Sequence, residues 1–143
     1  MSGWLVSARA WLVRLAFAIG RRRSIRPRVV LATSHLDHLG GNLASIAAEL
    51  AAQHPGVEVV TLASRPRQGW RGPLAAILPA ITAGYHLATA RVFIVDDHFF
   101  PIYVIRPRRG TTIVQTWHGS GAFKKFGYSV LDKAFGADEA SNR

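Results

Sequence analysis

From residue 27 onward, short runs of β-branched and aromatic residues alternate with longer segments whose apolar residues recur at helical spacing. The short runs predict four buried strands, at 28–33, 57–62, 91–95 and 111–115. The longer segments predict helices at 43–53, 73–90 and 124–135, and residues 98–105 predict a short helical or irregular stretch. Pro79 is a candidate kink in the second of these helices. Alternating strands and helices predict an α/β fold, with a parallel sheet flanked by helices.

The segment before this pattern is an apolar stretch that ends in a basic cluster. Residues 4–20 are compatible with a helix and would span about 25 Å, which is short for crossing a bilayer, and they include Arg9 and Arg14. On a helical wheel one wide arc is apolar, and the two Arg residues bound it; its members are Trp4, Trp11, Leu12, Leu15 and Ile19. We therefore expect an amphipathic helix lying on a membrane surface through residues 4–23, with its Arg side chains reaching lipid phosphates.

Other roles for this helix remain open at the level of sequence. It could pack on this protein or on a missing second domain. A secretory signal fits less well, because the basic cluster follows the apolar stretch and no small-x-small cleavage site precedes the domain. Nucleic acid is not an expected partner, because residues 1–28 carry a charge of +7 and leave only +3 for the rest of the chain.

Composition limits the chemistry of the chain. It has 143 residues, 49% of them hydrophobic, so we expect one domain with a real core. Without cysteine it can form no disulfide, thiolate nucleophile or cysteine-ligated zinc site. The predicted organisation is a basic membrane-surface helix at 1–26, an α/β domain at 27–136 and a frayed tail at 137–143.

Candidate chemistry collects after the predicted strands, where open parallel sheets bind their ligands. His118 follows the fourth strand between Trp117 and Gly119, where an imidazole could take a proton from an alcohol near neutral pH. Lys124 and Lys125 could stabilise the charge of a phosphoryl group. A His in this position is also often a hydrogen-bonded structural residue, and both interpretations remain open.

The turn after the first strand carries Gly40, Gly41 and Asn42 ahead of a helix. Its free N–H groups could hold an anion, or the glycines could serve only a tight turn. Asp97 could orient a substrate hydroxyl or cap the element that follows, and capping is favoured. The spacing of the nearby His and Asp residues matches no standard zinc pattern, so we expect no metal.

The run QTWHGSGAFKKFG at residues 115–127 resembles the signature of the CDP-glycerol glycerophosphotransferase family, which includes teichoic-acid glycerol-phosphate primases and polymerases. The resemblance extends in order through Thr33 and Ser34, the turn at 40–42, residues 85–90, 95–101 and 106–110, and so covers about residues 27–136. It implies the Rossmann-like, acceptor-side lobe of a two-lobed GT-B fold, bound peripherally at the cytoplasmic face of the plasma membrane.

The same resemblance implies transfer of glycerol phosphate from CDP-glycerol, as donor substrate and without a further cofactor, to a hydroxyl of a glycerol-phosphate polymer or lipid-linked acceptor. It implies that His118 is the base. The expected substrate-binding residues are Gly40, Gly41, Asn42, Asp97, Trp117, Gly119, Ser120, Lys124 and Lys125.

Two features depart from the family pattern. Ser120 stands where the family usually has Thr, and Gly121 replaces a frequent Pro. The donor-binding second lobe has no counterpart before Arg143, so we expect little transferase activity from this chain alone. The alternative function is a non-catalytic membrane-surface module that binds anionic polymer or lipid through its Arg residues.

Overall fold

A computed structural model describes residues 3–65, 72–96 and 98–116. Its elements, in chain order, are α1 (Gly3–Gly20), β1 (Arg26–Thr33), α2 (Gly41–Gln53), β2 (Glu58–Ala63), α3 (Gly72–Ala75), α4 (Ile77–Thr89), β3 (Ala90–Val95), α5 (Phe100–Tyr103) and β4 (Thr112–Gln115). All four predicted strands and the first two predicted helices of the α/β domain are confirmed. The predicted helix at 124–135 and the tail lie outside the described residues.

The four strands form one sheet in the order β2-β1-β3-β4, and every neighbouring pair is parallel. Val30 of β1 lies opposite Val60 of β2 on one side and Phe93 of β3 on the other, and Phe93 in turn lies opposite Ile113 of β4. Each connection must therefore return the chain from the carboxyl edge of the sheet to its amino edge. The predicted α/β class with a parallel sheet is confirmed.

One face of the sheet carries the main core. Alternate strand residues point to this face and pack against α4 and α1. The buried cluster consists of Phe17, Val30, Ala32, Ala83, Leu87, Ala88, Ala90, Phe93, Val95 and Phe99. On the opposite face α2 packs on β1 and buries Leu43. The helices therefore occupy both faces, as the alternating pattern predicts.

Helices α1 and α4 pack closely because small residues line their contact. A Cβ atom added to Gly84 would lie 2.4 Å from the carbonyl oxygen of Val13 and 3.0 Å from the Cβ of Ala16. A Cβ atom added to Gly20 would lie 2.8 Å from the Cβ of Ala88. Residues later in α1 therefore contact residues later in α4, so the two helices run parallel. Because α4 returns from the carboxyl edge to the amino edge, α1 does the same.

The two arginines of α1 contact their own protein. The guanidinium of Arg9 is half-buried, lies 4.9 Å from the ring centroid of Phe100, and its pKa is lowered by desolvation. Arg14 is exposed, and its Nε donates a 2.9 Å hydrogen bond to the carbonyl oxygen of Val104. Both side chains thus attach α1 to the segment around α5, and their contact with lipid phosphates stays a prediction. The alternative that α1 packs on this protein is confirmed for the face that carries Val13 and Phe17.

Near the predicted kink at Pro79, Ala76 alone separates α3 from α4. Its backbone stays in the helical region, with φ of −82° and ψ of −11°, and Pro79 stands in the first turn of α4. A proline cannot donate a hydrogen bond to the carbonyl four residues earlier, and its ring clashes with that carbonyl, which belongs to Ala75. The helix therefore ends at Ala75 and begins again at Ile77.

Charged side chains hold the amino edge of the sheet together. Arg108 Nη1 donates two hydrogen bonds to backbone carbonyl oxygens. One goes to Arg23, just after α1, at 2.8 Å, and the other goes to Ala88, in the last turn of α4, at 3.0 Å. Arg28, at the start of β1, is buried; its Nε lies 3.3 Å from Glu58 Oε2, and its Nη1 lies 3.3 Å from His86 Nδ1. These contacts fix the ends of both core helices to the sheet.

Candidate functional site

The parallel sheet brings four strand ends to one edge. The strands end at Thr33, Ala63, Val95 and Gln115, and the segments that follow them hold the candidate residues predicted from sequence. In open parallel sheets this carboxyl edge is where ligands bind. The candidate site is therefore the set of loops along this edge.

The turn into α2 has the backbone geometry of a tight strand-to-helix connection. Gly40 is the N-cap residue of α2, with extended φ of −132° and ψ of 171°, and no side chain caps the helix there. Gly41 has a φ of +50°, and a Cβ at Gly40 would lie 2.8 Å from Leu36 Cδ1. Residues with side chains would be strained or crowded at these positions. The predicted tight turn is confirmed, and phosphate contact at Gly40, Gly41 and Asn42 stays a prediction.

Hydrogen bonds tie this turn to both neighbouring loops. Asp37 Oδ1 accepts a 3.2 Å hydrogen bond from the backbone N–H of Arg65, after β2. Ser34 Oγ donates a 3.0 Å hydrogen bond to the backbone carbonyl of His98, after β3. Such bonds between loops fix the relative positions of segments that are distant in sequence. The loops after β1, β2 and β3 therefore form one connected rim.

The exit from β4 is fixed to the end of β3. The backbone N–H and the Oγ1 of Thr116 both donate to the carbonyl oxygen of Val95, at 2.7 Å and 3.2 Å. The rings of Tyr103 and His98 stack with centroids 4.9 Å apart, and the Tyr103 hydroxyl lies 3.4 Å from Gln115 Oε1. The chain therefore enters the residues after Thr116 from a defined point at the carboxyl edge.

Sequence reasoning left Ser34, His98 and Tyr103 out of the candidate site. The available signal was topological: Ser34 and His98 follow neighbouring strands, so they must meet at the same edge. Tyr103 could not have been found in this way, because its stacking on His98 depends on the geometry of α5.

Most of the predicted chemistry falls on residues that the structure does not describe. Asp97 and the segment from 117 to 143 lie outside the described residues. This set includes the proposed base His118 and the expected substrate-binding residues Trp117, Gly119, Ser120, Lys124 and Lys125. Their roles stay predictions.

Two further features bear on the kind of site. Within residues 3–65, 72–96 and 98–116, no three or more His, Asp or Glu side chains are grouped so that they could hold a metal. A shallow cleft of about 240 Å³ is lined by Ile46, Glu49, Leu50, Gln53 and His54. These residues lie in the second half of α2, which runs toward the amino edge, so the cleft is separate from the carboxyl-edge site.

The fold and the rim together define an α/β domain with a parallel sheet and a glycine turn at its carboxyl edge, an arrangement typical of domains that bind phosphorylated ligands. The family of CDP-Glycerol:Poly(glycerophosphate) glycerophosphotransferases matches residues 15–143. This match covers most of the chain, and the chain belongs to that family. The resemblance seen in the sequence is confirmed.

Curated relatives are similar to the chain over much of its length. It is 40% identical over 109 residues to teichoic acid ribitol-phosphate primase of Bacillus spizizenii, covering 76% of this chain and 28% of the relative. It is 32% identical over 136 residues to teichoic acid ribitol-phosphate polymerase TarK of Staphylococcus aureus, covering 90% of this chain and 25% of the relative. The chain thus spans about a quarter of the length of these relatives.

Proposed function

We propose that this chain is the acceptor-side lobe of a GT-B transferase that moves a polyol phosphate from a CDP-linked donor to a hydroxyl of a teichoic-acid-type acceptor. The observation that carries the proposal is the fixed exit of β4, where Thr116 donates two hydrogen bonds to Val95 at the carboxyl edge, and His118 follows two residues later in the sequence. The family match over residues 15–143 supports the same reaction class.

In the proposed reaction, His118 takes the proton of the acceptor hydroxyl as that oxygen attacks the polyol-bound phosphorus of the donor. A new P–O bond forms, the bond between the two phosphates breaks, and CMP leaves with its electron pair. Lys124 and Lys125 would stabilise the negative charge on the transferring group. The turn at Gly40, Gly41 and Asn42 would hold an acceptor phosphate at the N-terminus of α2, where no side chain caps the helix at Gly40.

The identity of the polyol is a finer part of the proposal. The family description supports glycerol phosphate, and the names of the relatives support ribitol phosphate. CDP-glycerol therefore stays the prediction from the sequence, and the corresponding ribitol donor is its competitor. Transfer assays with both donors, on the complete protein, would distinguish them.

We further infer that the protein binds peripherally to the cytoplasmic face of the plasma membrane through residues 4–23, where a lipid-linked acceptor would be found. The outward exposure of Trp4 and Trp11 supports this location. Arg9 is half-buried against Phe100, whereas Arg14 is exposed and binds Val104 only through Nε. The exposed cluster Arg21–Arg23 remains available for lipid phosphates.

The test uses binding of a glycerol-phosphate or ribitol-phosphate oligomer to the chain. We expect saturable binding that weakens several-fold in His118→Ala, because the neutral imidazole would lose a hydrogen bond from the acceptor hydroxyl, worth about 0.5–1.5 kcal/mol. His54→Ala is the matched control, since His54 ends α2 on the opposite edge. Equal binding by wild type and His118→Ala would contradict the assigned role.

The same experiment tests the competing function, a non-catalytic module that binds any polyanion through Arg side chains. That module predicts binding that salt abolishes and that His118 does not affect. A second measurement tests the division into lobes: this chain, mixed with donor and acceptor, should show no turnover at ordinary enzyme rates. Such turnover would contradict the assignment of the donor site to a second lobe.

A further inference from the structure

Arginine side chains gather at the amino edge of the sheet, where the strands begin. Three segments meet there: the start of β1, the start of β3 and the loop that leads into β4. Arg26 lies opposite Ala90 in the strand register, and Arg91 follows Ala90. A Cβ atom added to Gly110 would lie 3.0 Å from Ile25 Cδ1 and 3.9 Å from Arg91 Nη1, so the loop lies beside both strands. The exposed arginines of these segments, which we call the amino-edge arginine cluster, are Arg26, Arg91 and Arg109.

The fold uses two neighbouring arginines but not this cluster. Arg28 is buried against Glu58 and His86, and Arg108 donates to two backbone carbonyls. By contrast, the side chains of the amino-edge arginine cluster make no hydrogen bond or ion pair with any residue in the described part of the chain. Like charges without partners repel one another and do not stabilise a fold. Folding therefore does not explain why three arginines adjoin here.

The chemistry of the cluster favours a phosphodiester ligand. A guanidinium is always charged, and its planar N–H donors match a pair of phosphate oxygens. Guanidiniums on three adjoining segments can bind successive negative charges of one polyanion. Arg21–Arg23, which follow α1 at the same edge, add to the positive potential there. The amino edge therefore suits a chain of phosphates better than a single small anion.

The surroundings of the cluster favour a hydrated polymer over a bilayer. A protein surface that enters a bilayer interface carries large exposed apolar side chains beside its cations. Residues 24–28, 90–92 and 106–111 include no exposed large apolar side chain, and Ile25 is only partly exposed. The exposed Trp4 and Trp11 lie in the first part of α1, which starts at the opposite edge.

We propose that the amino-edge arginine cluster is a second acceptor subsite, which binds the phosphodiester backbone of a polyol-phosphate polymer at a distance from its reacting end. This inference rests on the proposed function, which places the reacting hydroxyl at the carboxyl edge. Because β1 has eight residues, the two edges lie roughly 23 Å apart. A short acceptor bound at the carboxyl edge cannot reach the cluster, whereas a long one can. The preferred acceptor is therefore one that already carries a run of polyol-phosphate units.

Binding of two ligands to the chain tests the subsite: a glycerol-phosphate dimer and a long poly(glycerol phosphate). Arg91→Gln combined with Arg109→Gln should weaken binding of the polymer about fivefold, the scale of two exposed charge contacts, and leave binding of the dimer unchanged. Added salt should reduce the difference between wild type and variant, since the lost contacts are exposed. Unchanged polymer binding, or an equal loss for both ligands, would overturn the subsite.

The matched control is Arg65→Gln. Arg65 is also an exposed arginine, but it follows β2 at the carboxyl edge. Its loss should change the binding of dimer and polymer by the same factor. A loss confined to the polymer in Arg65→Gln would show an effect of net charge and would overturn the subsite. Thermal melts of all variants should match the wild type, because the replaced side chains are exposed.

Two further ligands separate the polymer from other polyanions. Vesicles of phosphatidylglycerol should bind the wild type and the Arg91 and Arg109 double variant alike, because the proposed lipid contact lies in residues 4–23. Loss of vesicle binding without loss of polymer binding would assign the cluster to lipid headgroups and overturn the proposal. Duplex DNA that binds the cluster more tightly than the polymer does would also overturn it.

The comparison of ligand lengths also separates this inference from the proposed function. His118→Ala acts at the carboxyl edge, so its effect is measured with the dimer. The arginine variant is measured by the ratio of polymer binding to dimer binding. An unchanged dimer affinity in His118→Ala would contradict the proposed base, whereas an unchanged ratio in the arginine variant would contradict the second subsite alone.

Discussion

Replacing Gly84 by Ala should destabilise the protein by driving α1 away from α4. The added Cβ would lie 2.4 Å from the carbonyl oxygen of Val13, whereas ordinary contacts of this kind begin near 3.4 Å. The helices would have to separate by roughly 1 Å along a contact that also holds Ala16 at 3.0 Å. A main-chain carbonyl cannot rotate aside as a side chain can, so the backbone must move.

The magnitude follows from two opposing effects. Overpacking of a well-packed contact costs about 1–3 kcal/mol, and the rigid obstacle at Val13 places this case near the upper value. Alanine gains about 1 kcal/mol over glycine in helix propensity. We expect a net loss of about 2 kcal/mol in the free energy of unfolding, or a Tm lower by about 5–10 °C for a chain of this size.

Urea unfolding followed by circular dichroism measures this loss, and Gly56→Ala is the control. Nothing lies within 4 Å of a Cβ at Gly56, so that variant should stay within about 0.5 kcal/mol of the wild type. Hydrogen exchange in α1 should rise in Gly84→Ala, because the helix loses its close support. Unchanged stability and unchanged exchange would refute the close packing of α1 on α4 at Gly84.

Two further predictions concern the amino edge. The pKa of His86 is lowered by desolvation and by the neighbouring Arg28, so stability should be constant above the unfolded pKa of about 6.5 and fall as the pH drops through the lower folded value. Urea midpoints between pH 5 and 7.5 should show this slope in the wild type and not in His86→Asn; equal slopes would contradict the assignment. Arg108→Met, which loses the two hydrogen bonds to carbonyls at the helix ends, should lower the free energy of unfolding by about 1–2 kcal/mol. Thermal melts compare it with Arg106→Met at an exposed position, and an equal Tm in both variants would show that the two hydrogen bonds are not stabilising.

The sheet was predictable because its strands are short β-branched runs that need little context. The packing of α1 was not predictable from sequence. On its helical wheel the wide apolar arc, which is exposed in the structure, looks like the face that would be buried. The arc that packs instead carries Ala10, Ala16 and Gly20, whose value lies in their small size at a close contact rather than in hydrophobicity. The inward placement of Arg9 depends on Phe100, which is far away in sequence.

The candidate site divides in the same way. Its location at the carboxyl edge and the glycine turn follow from local pattern and topology. The hydrogen bonds from Ser34 to His98 and from the Arg65 N–H to Asp37 link residues that are 64 and 28 positions apart, and no local signal specifies such pairs. Sequence therefore indicates which loops form the rim, while the structure shows how they are joined.

The parallel packing of α1 and α4 fixes which end of α1 lies at which edge of the sheet. Had α1 run antiparallel to α4, Trp4 would lie at the amino edge and Arg21–Arg23 at the carboxyl edge. With the observed direction, fixed at Gly84 and Gly20, the first turns of both helices meet at the edge where the acceptor is proposed to bind. The small residues of this contact thus place the start of α1 at the carboxyl edge and Arg21–Arg23 at the amino edge.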